Sequence, residues 1–237
     1  MSSAQFPPLP LPRNNTISTA RLILRPIQRS DLPAYYKLRG DAQVMKYSRA
    51  HQPDADEDAT WLKMQPLLRP ESGPYEARPP SAYGFGIELK PEVAESLGFV
   101  VEEETLVGDI SCAKLVYADE KGEDKGEDQG EIVAEIGYML LPELWGKGII
   151  TEAVSAFVQH WKELIEGWKR DVSSSAEERD PEETARLLQR CDIGLIAALE
   201  EPNTASYKVL VKCGFHEVRR WVNPGNWDRV ITMALPM

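Results

Sequence analysis

Two glycines bracket a lysine where an apolar stretch gives way to a helix-forming run, in the segment "LPELWGKGIITEA" (141–153). Glycine loses more conformational freedom on folding than other residues, so two glycines at such a junction need a reason. Backbone N–H groups at the start of a helix can bind an anion, usually a phosphate, when the ligand can approach the backbone closely. The alternative is a turn that only lets strand and helix pack together.

Two common phosphate-binding loops do not fit this segment. A Walker loop has Ser or Thr directly after its Gly-Lys pair, and here Gly148 follows Lys147. A dinucleotide-binding fingerprint needs a third glycine where Thr151 stands. A phosphate cradle of another type and a packing turn both stay open at this point.

A second segment, "NTASYKVLVKCGF" (203–215), places Asn, Ser and Gly on a strand–helix unit that follows the first one. Together with "TARLILRPIQRSDLP" (19–33) and "AEIGYMLLPELWGKGIITEA" (134–153), it resembles the GNAT superfamily of acyl-CoA-dependent N-acetyltransferases, and within it the RimJ/RimL-like branch that acetylates ribosomal-protein N-termini. The resemblance implies a mixed α/β (α+β) fold. Its central sheet would have about seven strands, splayed between the fourth and the fifth and flanked by helices.

The resemblance assigns the glycine segment to the pyrophosphate of coenzyme A, which the family binds through backbone N–H groups. Gly146 and Gly148 would let the backbone approach, and the helix starting near Lys147 would add its positive end. The pantetheine arm would pair with Met139 and Leu141 like an added strand. The implied acetyl-CoA contacts are Met139, Leu140, Leu141, Trp145, Gly146, Lys147, Gly148, Ile149, Ile150, Thr151, Asn203 and Ser206.

The acid–base pair of some relatives does not carry over to this chain. Attack on a thioester needs a neutral amine, so a base must take its proton, and an acid can protonate the departing thiolate. Those relatives use Glu and Tyr where this chain has Ala198 and Leu210, and neither side chain transfers a proton. In the RimJ/RimL-like branch the serine matching Ser206 lies near the thioester sulfur, which makes Ser206 the candidate acid. Its hydroxyl could instead bond only to nearby backbone.

Glu135 is the first candidate for the base, because an acid beside Val133 and Ile136 on an apolar strand needs a reason. The alternative is that its side chain faces solvent near the start of the strand. Glu200 and Glu201, at the end of the next strand, are second candidates. The cysteines show no metal-ligand spacing, so no metal is expected.

The elements that position these groups follow from hydrophobic periodicity. Strands are predicted over 19–26, 82–89, 105–116, 133–141, 191–199, 215–222 and 229–235. Helices are predicted over 30–38, 54–65, 147–169, 180–190 and 201–214, with a polar loop over 170–180. The third helix is expected to be amphipathic, with an apolar face that runs from Val154 to Trp168.

The expected organisation is a flexible Pro-rich tail over 1–16 and a single domain over 17–237, with insertions at 118–131 and 170–190 relative to the family pattern. The first insertion contains the repeat "KGEDKGED", which cannot bury apolar surface and is predicted to be a mobile loop.

Composition limits the partners. The chain has 237 residues, a formal net charge of −11 and 42% hydrophobic residues, enough for a buried core. The negative charge argues against a nucleic-acid partner, and no apolar run is long enough for a membrane span. Three cysteines without a disulfide pattern suit a reducing compartment. We therefore expect a cytoplasmic or nuclear protein, as a monomer or a homodimer.

The leading hypothesis is an enzyme that transfers acetyl from acetyl-CoA to a primary amine by direct attack. The acceptor would be a protein N-terminus or a small amine. The rival is a CoA-binding module that has lost catalysis and acts as a sensor or interaction protein. The absent Glu/Tyr pair favours the rival, whereas Ser206 and the phosphate cradle favour the enzyme.

Overall fold

The computed structural model describes residues 9–10, 15–68, 76–77, 83–99, 106–118, 131–175, 180–182, 184, 188, 194–223 and 228–236. The strands in these ranges are β1 (Leu9–Pro10), β2 (Ile17–Ser18), β3 (Leu22–Arg25), β4 (Glu76–Ala77), β5 (Tyr83–Leu89), β6 (Leu106–Ala118), β7 (Glu131–Leu140), β8 (Gly194–Glu200), β9 (His216–Val222) and β10 (Arg229–Leu235). The helices are α1 (Leu32–Arg39), α2 (Ala42–Met45), α3 (Glu57–Met64), α4 (Pro91–Ser96), α5 (Ile149–Ser174) and α6 (Thr204–Lys212).

The main sheet confirms the predicted mixed, splayed architecture. Its eight strands follow the order β2-β3-β5-β6-β7-β8-β10-β9 in the described part of the chain. β7 and β8 are the parallel neighbours, and their register joins residues 133–135 of β7 to residues 194–196 of β8. β7 then runs on to Leu140 while β8 pairs with β10, so the two strands separate. If the two-residue β2 is left out of this order, β7 and β8 are the fourth and fifth of seven strands, which is where the splay is predicted.

The two faces of the sheet carry different helices. Phe85 of β5 lies opposite Ile110 in the register and meets Phe157 of α5 edge-on, with ring centroids 6.1 Å apart. α5 therefore covers the face to which Ile110 belongs. The adjacent residue on β6, Asp109, points to the opposite face, where the Tyr35 hydroxyl of α1 reaches it.

α5 is amphipathic, as predicted, but it is longer than predicted. The apolar positions from Val154 to Trp168 are buried or half-buried. The helix then continues to Ser174, so the prediction of a polar loop from residue 170 is wrong for its first five residues. Val172 is buried four residues after Trp168 and extends the same apolar face. Val172 is a single apolar residue among serines and charged residues, so the sequence pattern does not indicate that the helix continues.

Parts of the predicted tail and insertions lie outside the described residues, among them residues 1–8, 11–14 and 119–130. Leu9–Pro10 pairs with Glu76–Ala77, and the Asn15 amide lies within hydrogen-bonding distance of the Tyr83 hydroxyl. Ala118 is paired with Glu131, so the acidic insertion joins two adjacent strands. None of the described helices has the length and apolar character that a membrane span requires.

Candidate functional site

A cleft of about 700 Å³ lies where β7 and β8 separate. Its walls come from α2 and the residues after it, the end of β7, the loop before α5, the first turn of α5, and α6 along its length. The lining residues are Gln43, Val44, Lys46, Tyr47, Ser48, Tyr138, Met139, Leu140, Leu144, Trp145, Gly146, Gly148, Ile149, Ile150, Thr151, Asn203, Thr204, Ala205, Ser206, Lys208, Val209 and Lys212.

Ten of the twelve residues implied as acetyl-CoA contacts line this one cleft. The described lining does not include Leu141 and Lys147. Leu141 is buried, and its N–H donates to the Val107 carbonyl at 2.9 Å, so that N–H is not available to an added strand. The Lys147 carbonyl accepts a hydrogen bond from Arg21.

The glycine loop forms a set of N–H donors. Gly146 and Gly148 have φ angles of 72° and 75°, in the left-handed region where glycine is strongly preferred. Gly148 is the N-cap of α5, and no side chain caps this end of the 26-residue helix. The N–H groups of the first helical turn have no partner within the helix. The positive end of α5 therefore faces the cleft, which is the arrangement that binds a phosphate.

A clamp formed by Arg21 and Glu152 holds this loop against β3. Arg21 Nη1 donates to the Lys147 carbonyl at 2.9 Å, and its Nε donates to Glu152 at 2.6 Å. Burial raises the pKa of Glu152, but hydrogen bonds from Thr19 and Arg21 outweigh it, so the net pKa is lowered. The carboxylate therefore stays charged and fixes the first turn of α5. Neither residue stands out in the sequence, because nothing local links positions 21 and 152.

The charge of the cleft is opposite to that of the chain. Lys46, Lys208 and Lys212 line it, and none of its described lining residues is acidic. The chain as a whole has a net charge of −11. A cationic cleft on an acidic protein is suited to an anionic ligand.

Ser206 lies in the cleft at the start of α6. The Asn203 side chain accepts a hydrogen bond from the Ser206 N–H at 3.2 Å, so Asn203 is the N-cap that the sequence indicates. The Tyr138 hydroxyl donates to the Ser206 carbonyl at 3.3 Å. Burial raises the pKa of Tyr138, so the phenol is neutral. The Ser206 side chain is also hydrogen-bonded to Tyr138, a bond that lowers the pKa of the phenol but is outweighed by burial.

Glu135 lies outside the described lining of the cleft. It pairs with Ile196 at the last recorded pair before β7 and β8 separate, and its side chain is partly buried. Met139, which does line the cleft, lies four residues further along β7, or about 13 Å at the usual rise of a strand. The structure therefore does not bring Glu135 and Ser206 into one cleft.

The second candidates have different surroundings. Glu201 accepts a hydrogen bond from Arg220 at 2.6 Å. Glu200 and Asp228 each place a carboxylate oxygen 3.3 Å from His51 Nε2. Burial raises the pKa of Glu200; His51 opposes this shift and the Asp228 charge adds to it, so the net pKa is raised. Sequence reasoning missed His51 and Asp228, because the three residues come from three separate segments.

A buried carboxyl lies beside the cleft. Asp109 is 3% exposed and pairs with Met139 across β6 and β7. The Tyr35 hydroxyl donates to Oδ2 at 3.4 Å, and Oδ1 has no partner among the described residues. Burial raises the pKa of Asp109 to about 7, although the Arg39 charge and the Tyr35 hydrogen bond oppose the shift.

Solved structures share this fold. A GNAT-family acetyltransferase from Bacillus anthracis aligns over 94% of this chain and 98% of its own, with a TM-score of 0.56 and 20% identity. RimJ of Mycobacterium smegmatis, in complex with CoA-disulfide, covers 94% of this chain and 88% of its own, with a TM-score of 0.55 and 18% identity. RimL, a ribosomal L7/L12 alpha-N-protein acetyltransferase in complex with coenzyme A, covers 94% of this chain and 98% of its own, with a TM-score of 0.55 and 16% identity. At these identities the likeness shows the fold alone.

The sequence itself also matches a family. The comparison with curated proteins gave no significant match. Residues 21–216, however, match the model of the acetyltransferase (GNAT) domain, a range that contains both the glycine loop and the Asn203–Ser206 turn. With this match over most of its length, a sheet that splays at the expected strands and a helix start that faces a cationic cleft, the chain belongs to the GNAT acetyltransferase family.

Proposed function

We propose that the protein is an N-acetyltransferase that moves the acetyl group of acetyl-CoA to a primary amine. One observation carries the proposal: the residues expected to hold acetyl-CoA, drawn from β7, the glycine loop and α6, converge on one cleft with three lysines. The single domain over 17–237 and the cytoplasmic location expected from the sequence belong to the same proposal.

The cleft fits the two chemically distinct parts of the ligand. The uncapped start of α5 and the glycine backbone offer N–H donors for the pyrophosphate, and Lys208 and Lys212 add positive charge on the α6 side. The end of β7, which has left β8, offers strand backbone to the amide groups of the pantetheine arm. The Leu141 N–H is already bonded to Val107, and Met139, two residues earlier and paired with Asp109, turns its backbone groups to the same side. The pairing would therefore use the intervening backbone groups of Tyr138 and Leu140, which also line the cleft.

The chemistry requires two proton movements. The amine nitrogen gives up a proton to a base and forms a bond to the thioester carbon, the carbon–sulfur bond breaks, and the departing sulfur takes a proton from an acid. Ser206 is the proposed proton donor, because its side chain lines the cleft, with the Tyr138 phenol as its hydrogen-bond partner. Glu135 and Glu200 stay candidates for the base, and both need a water or a movement to reach the cleft, since neither is part of its described lining.

The acceptor class is proposed from the relatives. RimL acts on a ribosomal protein N-terminus, so peptides with a free N-terminus are the first acceptors to test. Small primary amines form the second class. The rival proposal, a CoA-binding module without catalysis, is favoured by Ala198 and Leu210 at the positions of the usual acid–base pair.

A thiol-release assay with acetyl-CoA separates the two proposals. Short peptides, a polyamine and an aminoglycoside serve as acceptors, the same compounds with acetylated amines are the matched controls, and CoA affinity is measured by calorimetry. Turnover that depends on a free amine, with an acetylated product in the mass spectrum, supports the enzyme. Binding of CoA without turnover on any acceptor supports the module, and absence of CoA binding contradicts both.

A further inference from the structure

Beside the cleft, three side chains of metal-ligating types converge from three segments. His51 follows α2, Glu200 ends β8 and Asp228 precedes β10. Their ligand atoms all lie within 4.8 Å of one another. The cluster adjoins the cleft, because Ser48 and Asn203, three residues from His51 and Glu200, are among its lining residues.

The distances in this cluster decide between its possible occupants. Both carboxylate oxygens lie 3.3 Å from His51 Nε2. That nitrogen carries one proton at most and cannot donate to both carboxylates, and the distance exceeds the usual range of about 2.7–3.2 Å for an N–H···O bond. A direct hydrogen-bonded triad is therefore a poor account of the arrangement.

An ammonium group fits no better than a direct hydrogen bond. Three acceptors at about 2.8–2.9 Å from one tetrahedral nitrogen would be about 4.6–4.7 Å apart. Ligands at about 2.0–2.1 Å from a tetrahedral metal ion are about 3.3–3.4 Å apart. The two separations from His51 Nε2, 3.3 Å each, match the metal, and the two carboxylate oxygens lie within 4.8 Å of each other.

The backbone at His51 supports a fixed position for this side chain. Its φ angle is 53°. No other non-glycine residue in the described part of the chain has a positive φ. Such a conformation is uncommon for non-glycine residues, although histidine adopts it more often than most, and it persists where the surroundings hold it in place.

We propose that His51, Glu200 and Asp228 form a binding site for a first-row divalent metal ion at the edge of the cleft. The imidazole selects against Mg²⁺, which prefers an all-oxygen octahedral shell, so Zn²⁺ binds more tightly than Mn²⁺, and Mn²⁺ more tightly than Mg²⁺. Three protein ligands leave a coordination position open to water or another donor atom. Metal binding itself does not depend on the proposed acetyl transfer, but a metal-bound Glu200 could not also take the proton of the amine, which leaves Glu135 as the candidate base when the site is filled.

Calorimetric titration of the full chain, freed of metal with a chelator, tests the site with Zn²⁺, Mn²⁺ and Mg²⁺. The ligand variants are His51→Asn, Glu200→Gln and Asp228→Asn. Asparagine tolerates positive φ, so His51→Asn keeps the loop conformation. The control is His216→Asn, an exposed histidine on β9 outside the cluster.

We expect one Zn²⁺ per chain, an affinity lowered at least about tenfold in each ligand variant, and no change in the control. Zn²⁺ should also raise the melting temperature of the parent and not of the ligand variants, because a ligand that binds the folded state stabilises it. Absence of Zn²⁺ binding to the parent, or binding that survives all three ligand substitutions, would overturn the proposal. A loss in His216→Asn equal to that in the ligand variants would also do so, since the metal would then be held elsewhere.

Discussion

Replacing Asp109 with Asn should stabilise the protein, and more strongly as the pH rises. Burial raises the pKa of this carboxyl from 3.8 to about 7 in the folded protein. The folded state therefore holds the proton more tightly than the unfolded state, and the free energy of unfolding falls as the pH rises between these two values. Above about pH 7 the loss is complete, at roughly 4 kcal/mol for a shift of about three pKa units.

The variant Asp109→Asn lacks this proton equilibrium. The new amide still accepts the hydrogen bond from Tyr35, but its buried NH₂ group costs about 1–3 kcal/mol if it finds no partner. At about pH 5 the wild-type protein has lost only about 1–2 kcal/mol of its unfolding free energy, which is about the cost of the unpaired amide in the variant. The two proteins should therefore be nearly equal in stability at that pH. At about pH 8 the variant should be more stable by about 1–3 kcal/mol.

Urea unfolding at several pH values between about 5 and 8 gives the difference in unfolding free energy directly. Asp54→Asn is the matched control. Asp54 is also buried, but hydrogen bonds from Arg39, Lys63 and Thr60 outweigh its desolvation and lower its pKa to about 2. That substitution should destabilise the protein equally across this pH range. A difference between wild type and Asp109→Asn that does not change with pH would show that the carboxyl is not protonated in the folded state, and the argument from burial would be wrong.

Three further outcomes are expected. Gly148→Val should weaken CoA binding at least about tenfold in calorimetry, because a side chain at the helix start blocks the approach of a phosphate. The control is Gly98→Val, since Gly98 has a similar φ of 72° but lies outside the cleft; it should lower the melting temperature and leave CoA affinity unchanged. Ser206→Ala should lower kcat, by at most on the order of 10²–10⁴-fold, with CoA affinity unchanged, and equal turnover from about pH 6 to 9 would make the residue structural. A short Gly/Ser turn between the paired residues Ala118 and Glu131, in place of the acidic insertion, should leave the melting temperature and CoA affinity nearly unchanged, and a marked fall in either would show that the insertion packs or binds.

The features that the sequence predicts well are those whose cause is local. The glycine loop, the Asn203 N-cap and the apolar face of α5 each follow from spacing within one segment, and all three are present. The splayed sheet came from the family resemblance, because no local pattern shows that two strands part after residue 135.

The features that the sequence does not predict depend on contacts between distant segments. The burial of Asp109 beneath Tyr35, the approach of His51 to Glu200 and the bond from Leu141 to Val107 each join residues from different elements. The position of Glu135 illustrates the limit: periodicity gives the strand and its face, but not how far along the strand the cleft begins.

The clamp between Arg21 and Glu152 joins residues 131 positions apart in the chain. Bringing such distant residues together costs loop-closure entropy, which the contacts of the clamp must offset. The glycine loop is therefore anchored by the N-terminal segment that leads into β3. By linkage, a ligand that binds this loop also strengthens the docking of β3. Protection of the Arg21 N–H against hydrogen exchange, which the Glu152 carboxylate provides, should thus increase when coenzyme A is added, even though Arg21 is outside the described lining of the cleft.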